Sequence, residues 1–150
     1  MIECYLVRHA DAGSRGIQND HQRRLSKRGR AQADRLVGAL SAVGATELRS
    51  SPFARCRETL APLGEALALP VEPDMHLGEG SGPTHALAAI ERATSPLVLC
   101  SHGDVIGDVM DLIARRGVDL ADDRLAKAST WIITVDNGAI VSARYLPPPT

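Results

Sequence analysis

The chain has 150 residues, a formal net charge of −1 and only 3% aromatic residues. That charge argues against a nucleic-acid-binding field, and so few rings argue against a base-stacking platform. Hydrophobic residues at 44% and charged residues at 23% suit one soluble domain, 1–150, long enough to bury a core.

No apolar stretch approaches the roughly 20 residues of a membrane span. Met1-Ile2-Glu3 leads straight into an apolar run, without the basic segment and apolar core of a signal peptide, so a cytoplasmic location is expected. Cys4, Cys56 and Cys100 are odd in number and widely spaced, which predicts reduced thiols rather than a disulfide framework. Each lies in an apolar run, so buried thiols are expected rather than a metal site with His9 and His102.

Tyr5-Leu6-Val7 reads as a buried strand that ends abruptly in Arg8-His9. The polar stretch 11–25 is too long for a simple turn, and loops of that length are often functional. Ser26 suits a helix N-cap; Leu36, Val37, Leu40 and Val43 follow at helical spacing, and Gly44 closes the helix. Residues 46–50 form a weakly marked strand. A helix is expected to begin at Ser51-Pro52, with Cys56, Leu60, Leu63 and Leu67 as its apolar stripe and a kink at Pro62.

Residues 69–72 suit a brief strand, and 73–83 are irregular and Gly-rich. A helix is predicted over 84–93 and a second clean buried strand over 96–100. That strand ends in Ser101-His102-Gly103-Asp104, and Val105, Ile106, Val109, Met110, Leu112 and Ile113 then mark an apolar helix. Asn137-Gly138 between the apolar runs 131–135 and 139–143 is a strong hairpin signal, and the Pro147-Pro148-Pro149 tail suits a loose end. Strands alternating with helices predict a three-layer α/β/α fold, its central sheet mostly parallel, with an antiparallel hairpin at the end.

Two strands therefore end in histidine, His9 and His102, and Arg55 lies at a third connection. In a parallel sheet such ends converge outside the carboxyl edge, where ligands bind. Two imidazoles and the guanidiniums of Arg8 and Arg55 around one cavity suit a phosphate dianion. A neutral imidazole there can act as a nucleophile, the arginines can stabilise the transition-state oxygens, and a carboxylic acid can protonate the leaving group. The sequence carries no P-loop, HExxH or calcium-loop motif, and no cofactor or metal is expected.

Leu6-Val7-Arg8-His9-Ala10 resembles the Arg-His-Gly motif of the histidine phosphatase superfamily, also called phosphoglycerate-mutase-like. Three more motifs follow in that family's order: Arg24-Leu25-Ser26-Lys27-Arg28-Gly29-Arg30-Ala31-Gln32-Ala33, Ser50-Ser51-Pro52-Phe53-Ala54-Arg55-Cys56-Arg57-Glu58-Thr59, and Val98-Leu99-Cys100-Ser101-His102-Gly103. The small size is similar to the bacterial phosphohistidine phosphatase branch. Lys127-Ala128-Ser129-Thr130-Trp131 and the Asn137-Gly138 hairpin look closest to phosphatase-like domains fused behind Nudix domains.

The resemblance implies a metal-independent phosphatase acting on a phosphomonoester or a phosphohistidine, with His9 as the phosphorylated nucleophile. Arg8, Arg55 and His102 would complete the phosphate pocket, with Gly103 beside them and Asn19 and Arg23 in its wall. Glu79 sits where mutase-like members carry their acid; Asp104 and Asp11 are further candidates. Ala10 replaces the family's usual Gly. Arg28, Arg30 and Arg35 read as a solvated helix face, and His21, His76 and His85 as surface residues. The partner expected is a phosphorylated small molecule or a phosphohistidine protein, with no nucleic acid and no membrane. A phosphoglycerate-type mutase and a phosphate- or phosphohistidine-binding module of little turnover are the alternatives.

Overall fold

The first strand is buried on both faces, which explains its unbroken apolar run: Cys4 and Leu6 enter one core and Tyr5 and Val7 the other. The computed structural model describes residues 1–16 and 19–150; residues 17 and 18, within the predicted 11–25 loop, lie outside them. In chain order the elements are β1 (Ile2–Arg8), α1 (Lys27–Leu40), β2 (Glu47–Ser50), α2 (Ala54–Leu67), β3 (Val71–Pro73), α3 (Thr84–Arg92), β4 (Leu97–Ser101), α4 (Gly103–Arg115), β5 (Thr130–Asp136) and β6 (Ala139–Leu146). The strands form one sheet in the order β3-β2-β4-β1-β5-β6.

The pairs β3/β2, β2/β4 and β4/β1 are parallel; β1/β5 and β5/β6 are antiparallel. This is the mostly parallel sheet with a terminal hairpin that the strand-helix alternation predicts. One face is covered by α3 and α4, through Leu87, Ile90, Val105, Ile106, Val109 and Ile113. The other is covered by α1 and α2, through Leu36, Leu40, Leu60 and Leu63. Each such fully buried side chain contributes about 1.5–3 kcal/mol of hydrophobic stabilisation. No described helix is long and apolar enough to cross a membrane.

The register decides what meets at the sheet edge. Val7 pairs with Cys100 and Arg8 with Ser101, while Ser50 pairs with Cys100 from the other side. The carboxyl ends of β1, β4 and β2 therefore lie level and adjacent.

Several local expectations shift. Helix α2 starts at Ala54, not at Pro52, because Ser51 N still donates to Cys100 O (3.0 Å) and the Ser51 hydroxyl accepts from Phe53 N (3.3 Å). The chain is still tied to the sheet there, and Phe53 becomes the cap. The helix runs unbroken past Pro62. Strand β3 begins at Val71 because Leu69 N donates to Gly64 O (3.0 Å) and finishes the helix first. Helix α1 ends at Leu40, so Val43 and Gly44 (φ 79°) belong to the following turn.

Both irregular stretches carry a short helical turn, Asp20–Gln22 and Met75–Leu77. The second is anchored on the sheet: Leu77 is fully buried and its carbonyl accepts from Ser101 Oγ at 2.6 Å. Strand β6 extends to Leu146, and the Pro147–Thr150 segment lines a groove with Arg28, Gln32, Arg35 and Lys127.

Ser26 caps α1 as expected, accepting from Gly29 N at 3.0 Å, and its own N donates to Asp11 O at 2.9 Å. A Cβ at position 29 would meet Asp11 O at 1.9 Å, so glycine alone lets the chain leaving His9 pack on this helix.

Candidate active site

His9 leaves the end of β1 held at every backbone group nearby. Its N donates to Ser101 O (3.1 Å), its carbonyl accepts from Ala128 N (3.1 Å), and Ala10 N donates to Thr59 Oγ1 (2.9 Å). The ring is buried, and Nδ1 lies 2.8 Å from Ala10 O. A carbonyl oxygen only accepts, so Nδ1 carries the hydrogen and Nε2 is left with its lone pair. Burial pushes this imidazole down to about 3, helped by the nearby His102, Arg55 and Arg8 and opposed by the Ala10 bond. His9 is therefore neutral at physiological pH.

A neutral buried histidine makes stability depend on acid. Unfolded, the ring takes up a proton near 6.5; folded, not until about 3. Between those values the unfolded chain binds more protons, so this contribution is full above pH 6.5 and is lost as pH falls toward 3. The loss from this one group is on the order of 5 kcal/mol by pH 3. Denaturant unfolding at neutral pH and at about pH 4 is expected to show a smaller acid loss in His9→Gln than in wild type. An equal loss in both would show that the ring is not held neutral.

His102 follows β4 and starts α4. Its ring centroid is 5.4 Å from that of His9, with the planes at 63°. Its Nε2 lies 2.8 Å from Ser51 Oγ, and its Nδ1 lies 3.4 Å from Arg55 Nη2. The Phe53 ring packs against it edge-to-face, with centroids 4.7 Å apart and planes at 71°.

Arg55 is 1% exposed and sits one residue into α2. Nη1 donates to Asp20 O (2.9 Å), and Nη2 to Asp20 Oδ2 (3.2 Å) and Glu79 Oε2 (3.3 Å). Arg8 is anchored by one bond, Nη1 to Leu125 O at 2.6 Å. Among the described residues only four buried side-chain N or O atoms have no hydrogen-bond partner, and two of them are Arg8 Nε and Arg55 Nε. Buried donors without partners are rare enough to need a reason, and an anion bound between these side chains supplies one.

Gly103 gives Arg8 its room. A Cβ there would stand 3.1 Å from Arg8 Cζ and Nη2 and 3.2 Å from Nε. Gly103→Ala is expected to displace the guanidinium and lower kcat/KM about tenfold. Helix α4 should lose nothing, since Ala is the better helix former by up to about 1 kcal/mol. Steady-state kinetics with thermal melting checks this; a melting point that falls with activity would contradict it.

The other expected residues divide. Glu79 reaches Arg55 and, on its other oxygen, Arg15 at 3.5 Å. Arg23 is buried but turned to Asp20 Oδ1 (3.1 Å) and the carbonyl of Gly13 (2.9 Å), so it braces the loop. Exposed Asn19 caps the Asp20–Gln22 turn through His21 N. Asp104 accepts from Gly80 N at 2.8 Å, and Asp11 is bound by Ser26 and lies 3.5 Å from Lys127. These two carboxylates are thereby occupied away from Arg55.

Asp20, His21, Phe53 and Ser51 were not singled out for this site by sequence. Asp20 touches Arg55 through both its carbonyl and its carboxylate. Burial alone would raise that carboxyl, but the Arg23 bond and the charges of Arg55, Arg15 and Arg23 hold it below its usual range. His21, expected merely at the surface, is exposed yet packs on the Phe53 ring at 4.0 Å. The Asp20-x-x-Arg23 spacing, which suits a helical turn, signals only the Asp20–Arg23 ion pair and not the contact with Arg55. His76 and His85 lie outside the site, stacked at 4.4 Å, with His85 on Asp74.

A three-layer α/β domain gathers two imidazoles and two arginines at the carboxyl edge of its parallel strands, an arrangement whose charge and donors suit a phosphoryl group. The model of the histidine phosphatase superfamily (branch 1) matches residues 4–94, and the chain belongs to that superfamily. It is 37% identical over 153 residues to an 8-oxo-(d)GTP phosphatase of Mycolicibacterium smegmatis. That alignment takes in 96% of this chain and 48% of the relative, so the chain spans about half the length of the curated relative it matches. Two solved structures share the fold. A protein of Agrobacterium tumefaciens described as a SixA phosphohistidine phosphatase has a TM-score of 0.77 at 20% identity, over 98% of both chains. The protein histidine phosphatase SixA complexed with tungstate has a TM-score of 0.73 at 21% identity, over 99% of this chain and 97% of the other.

Proposed function

We propose that this chain hydrolyses a phosphomonoester or a phosphohistidine through a covalent intermediate on His9. The observation that carries the reading is a buried histidine with a free Nε2 lone pair, in a site where Arg8 and Arg55 each keep an unpaired Nε–H. A phosphoryl group between the two arginines would satisfy both donors and face the imidazole.

In the first step the Nε2–phosphorus bond forms and the bond from phosphorus to the leaving atom breaks. Arg8, Arg55 and His102 hold the phosphoryl oxygens, whose charge they stabilise in the transition state. Once the phosphoryl group has displaced Glu79 from Arg55, its carboxylate takes a proton from solvent and gives it to the leaving oxygen; a phosphohistidine substrate needs less help, because imidazole leaves readily. In the second step water attacks phosphorus, its proton passes to Glu79, and the Nε2–phosphorus bond breaks to release phosphate. No step calls for a metal. Asn19 and Arg23 shape the loop wall, and Gly103 leaves space for Arg8.

The substrate is a phosphorylated small molecule or a phosphohistidine protein. The relative's name adds oxidised guanine nucleotides to the candidates, for that protein as a whole. The test is rapid acid-free quenching after mixing with labelled phosphate donor. The expected product is one base-stable, acid-labile phosphate per chain, on residue 9, with free phosphate released. An isomer of the donor in place of free phosphate would make the chain a mutase; binding with neither label nor release would make it a binding module.

A further inference from the structure

Arg55 Nη2 can only donate, and it lies 3.4 Å from His102 Nδ1. A hydrogen on Nδ1 would face that donor, so the neutral ring keeps its lone pair there. Its hydrogen is then on Nε2, and the atoms around Nε2 agree. Ser51 Oγ is 2.8 Å away and Cys56 Sγ 3.5 Å away, both able to accept. Ser51 is fully buried, and its Oγ also accepts from Phe53 N, so its position does not depend on His102. The contacts point to opposite tautomers for the two histidines: a carbonyl faces Nδ1 of His9, and a hydroxyl able to accept faces Nε2 of His102.

We infer that Ser51 is a positioning residue that sets the His102 tautomer, and that His102 takes up a proton at Nδ1 when a phosphoryl dianion binds. This rests on the proposed phosphatase site. A lone pair on Nδ1 repels a phosphoryl oxygen, whereas an N–H there donates to it. With Nε2–H already placed on Ser51, the only site left for the incoming proton is the one facing Arg55. The charged and titratable groups around this ring are His9 from β1, Arg55 and Cys56 from α2, and, through Arg55, Asp20 and Glu79 from the two loops. Oxyanion binding displaces one or both carboxylates from Arg55, so the added positive charge on His102 is met by the dianion.

The probe is tungstate, a dianion at neutral pH. In wild type, 15N NMR of the His102 ring is expected to show Nε2–H with bare Nδ1 when empty, and both nitrogens protonated with tungstate. Calorimetry in two buffers of different ionisation enthalpy should show uptake of about one proton per tungstate. Ser51→Ala should give a mixed tautomer, weaken tungstate about tenfold and shift the pH profile of binding, while Ser51→Thr, which keeps the hydroxyl, restores all three. An Nδ1–H tautomer in empty wild type overturns the inference, as does binding without proton uptake. The NMR needs no variant, so a poorly folding Ser51→Ala leaves the test intact. Loss of phosphate labelling on His9 with the tautomers as stated would sink the enzyme reading alone.

Discussion

His9→Ala is expected to lower kcat about ten-thousand-fold and to abolish covalent labelling, because removing the nucleophile removes the two-step path itself. The residual rate would come from the remaining donors, which still bind the phosphoryl group but have nothing to transfer it to. The variant should still fold: the His9 side chain bonds only to the neighbouring Ala10 carbonyl, while the backbone ties to Ser101, Ala128 and Thr59 do not involve the ring. Tungstate or phosphate should bind it within about tenfold of wild type. Label that survives in His9→Ala would disprove the intermediate. Label lost together with the fold, seen as a collapsed thermal transition, would call for His9→Gln instead.

The second large effect is at Arg55. Its guanidinium spans the site, touching the 11–25 loop through Asp20, the 73–83 loop through Glu79, and His102. Lysine offers one ammonium in place of that planar fork and cannot reach these partners together. Arg55→Lys should lose about a hundredfold in kcat/KM and Arg55→Ala about a thousandfold, in the range for deleting a buried transition-state donor. The alanine variant leaves Asp20 and Glu79 without their shared cation, and the lysine variant leaves them without the fork that bridges both. The 11–25 loop should then be cut faster by protease at unchanged global stability, which separates the loop effect from unfolding. An Arg55→Lys variant with wild-type kinetics would show that the fork contacts substrate only as a point charge.

Asp20 supplies a counter-charge for a guanidinium buried to 1% exposure. Its carboxylate and that of Glu79 stand where anionic oxygens are wanted. A phosphoryl group bound as proposed would compete with these carboxylates for Arg55, which would couple the two loops that carry them to occupancy.

Much of this was legible in the residues. The strand β1 was visible because burial on both faces leaves a continuous apolar run, and Arg8-His9 stood out because charge and imidazole end it abruptly. The α1 cap at Ser26 and the Asn137-Gly138 turn were equally local. Boundaries moved where a residue had a partner far away: Ser51 is drawn to β4 by Cys100, so α2 starts later than its own residues suggest. Glu79 stood first as the acid with Asp104 and Asp11 as further candidates, and only packing placed Glu79 on Arg55, Asp104 on Gly80 and Asp11 on Ser26.

What the amino-acid order determined by itself was the alternation of strands and helices, their apolar faces, and which strand ends carry histidine and arginine. These depend on periodicity and punctuation within a dozen neighbours, which chain geometry reads directly. Only the tertiary structure decided that Asp20 rather than Asp11 closes on Arg55, that Nδ1 of His9 meets a carbonyl while Nδ1 of His102 faces Arg55, and that two arginine donors stay unpaired. Each of those rests on ångström-scale contacts between segments tens of residues apart, and hydrogen-bond direction and desolvation exist only once those segments are packed.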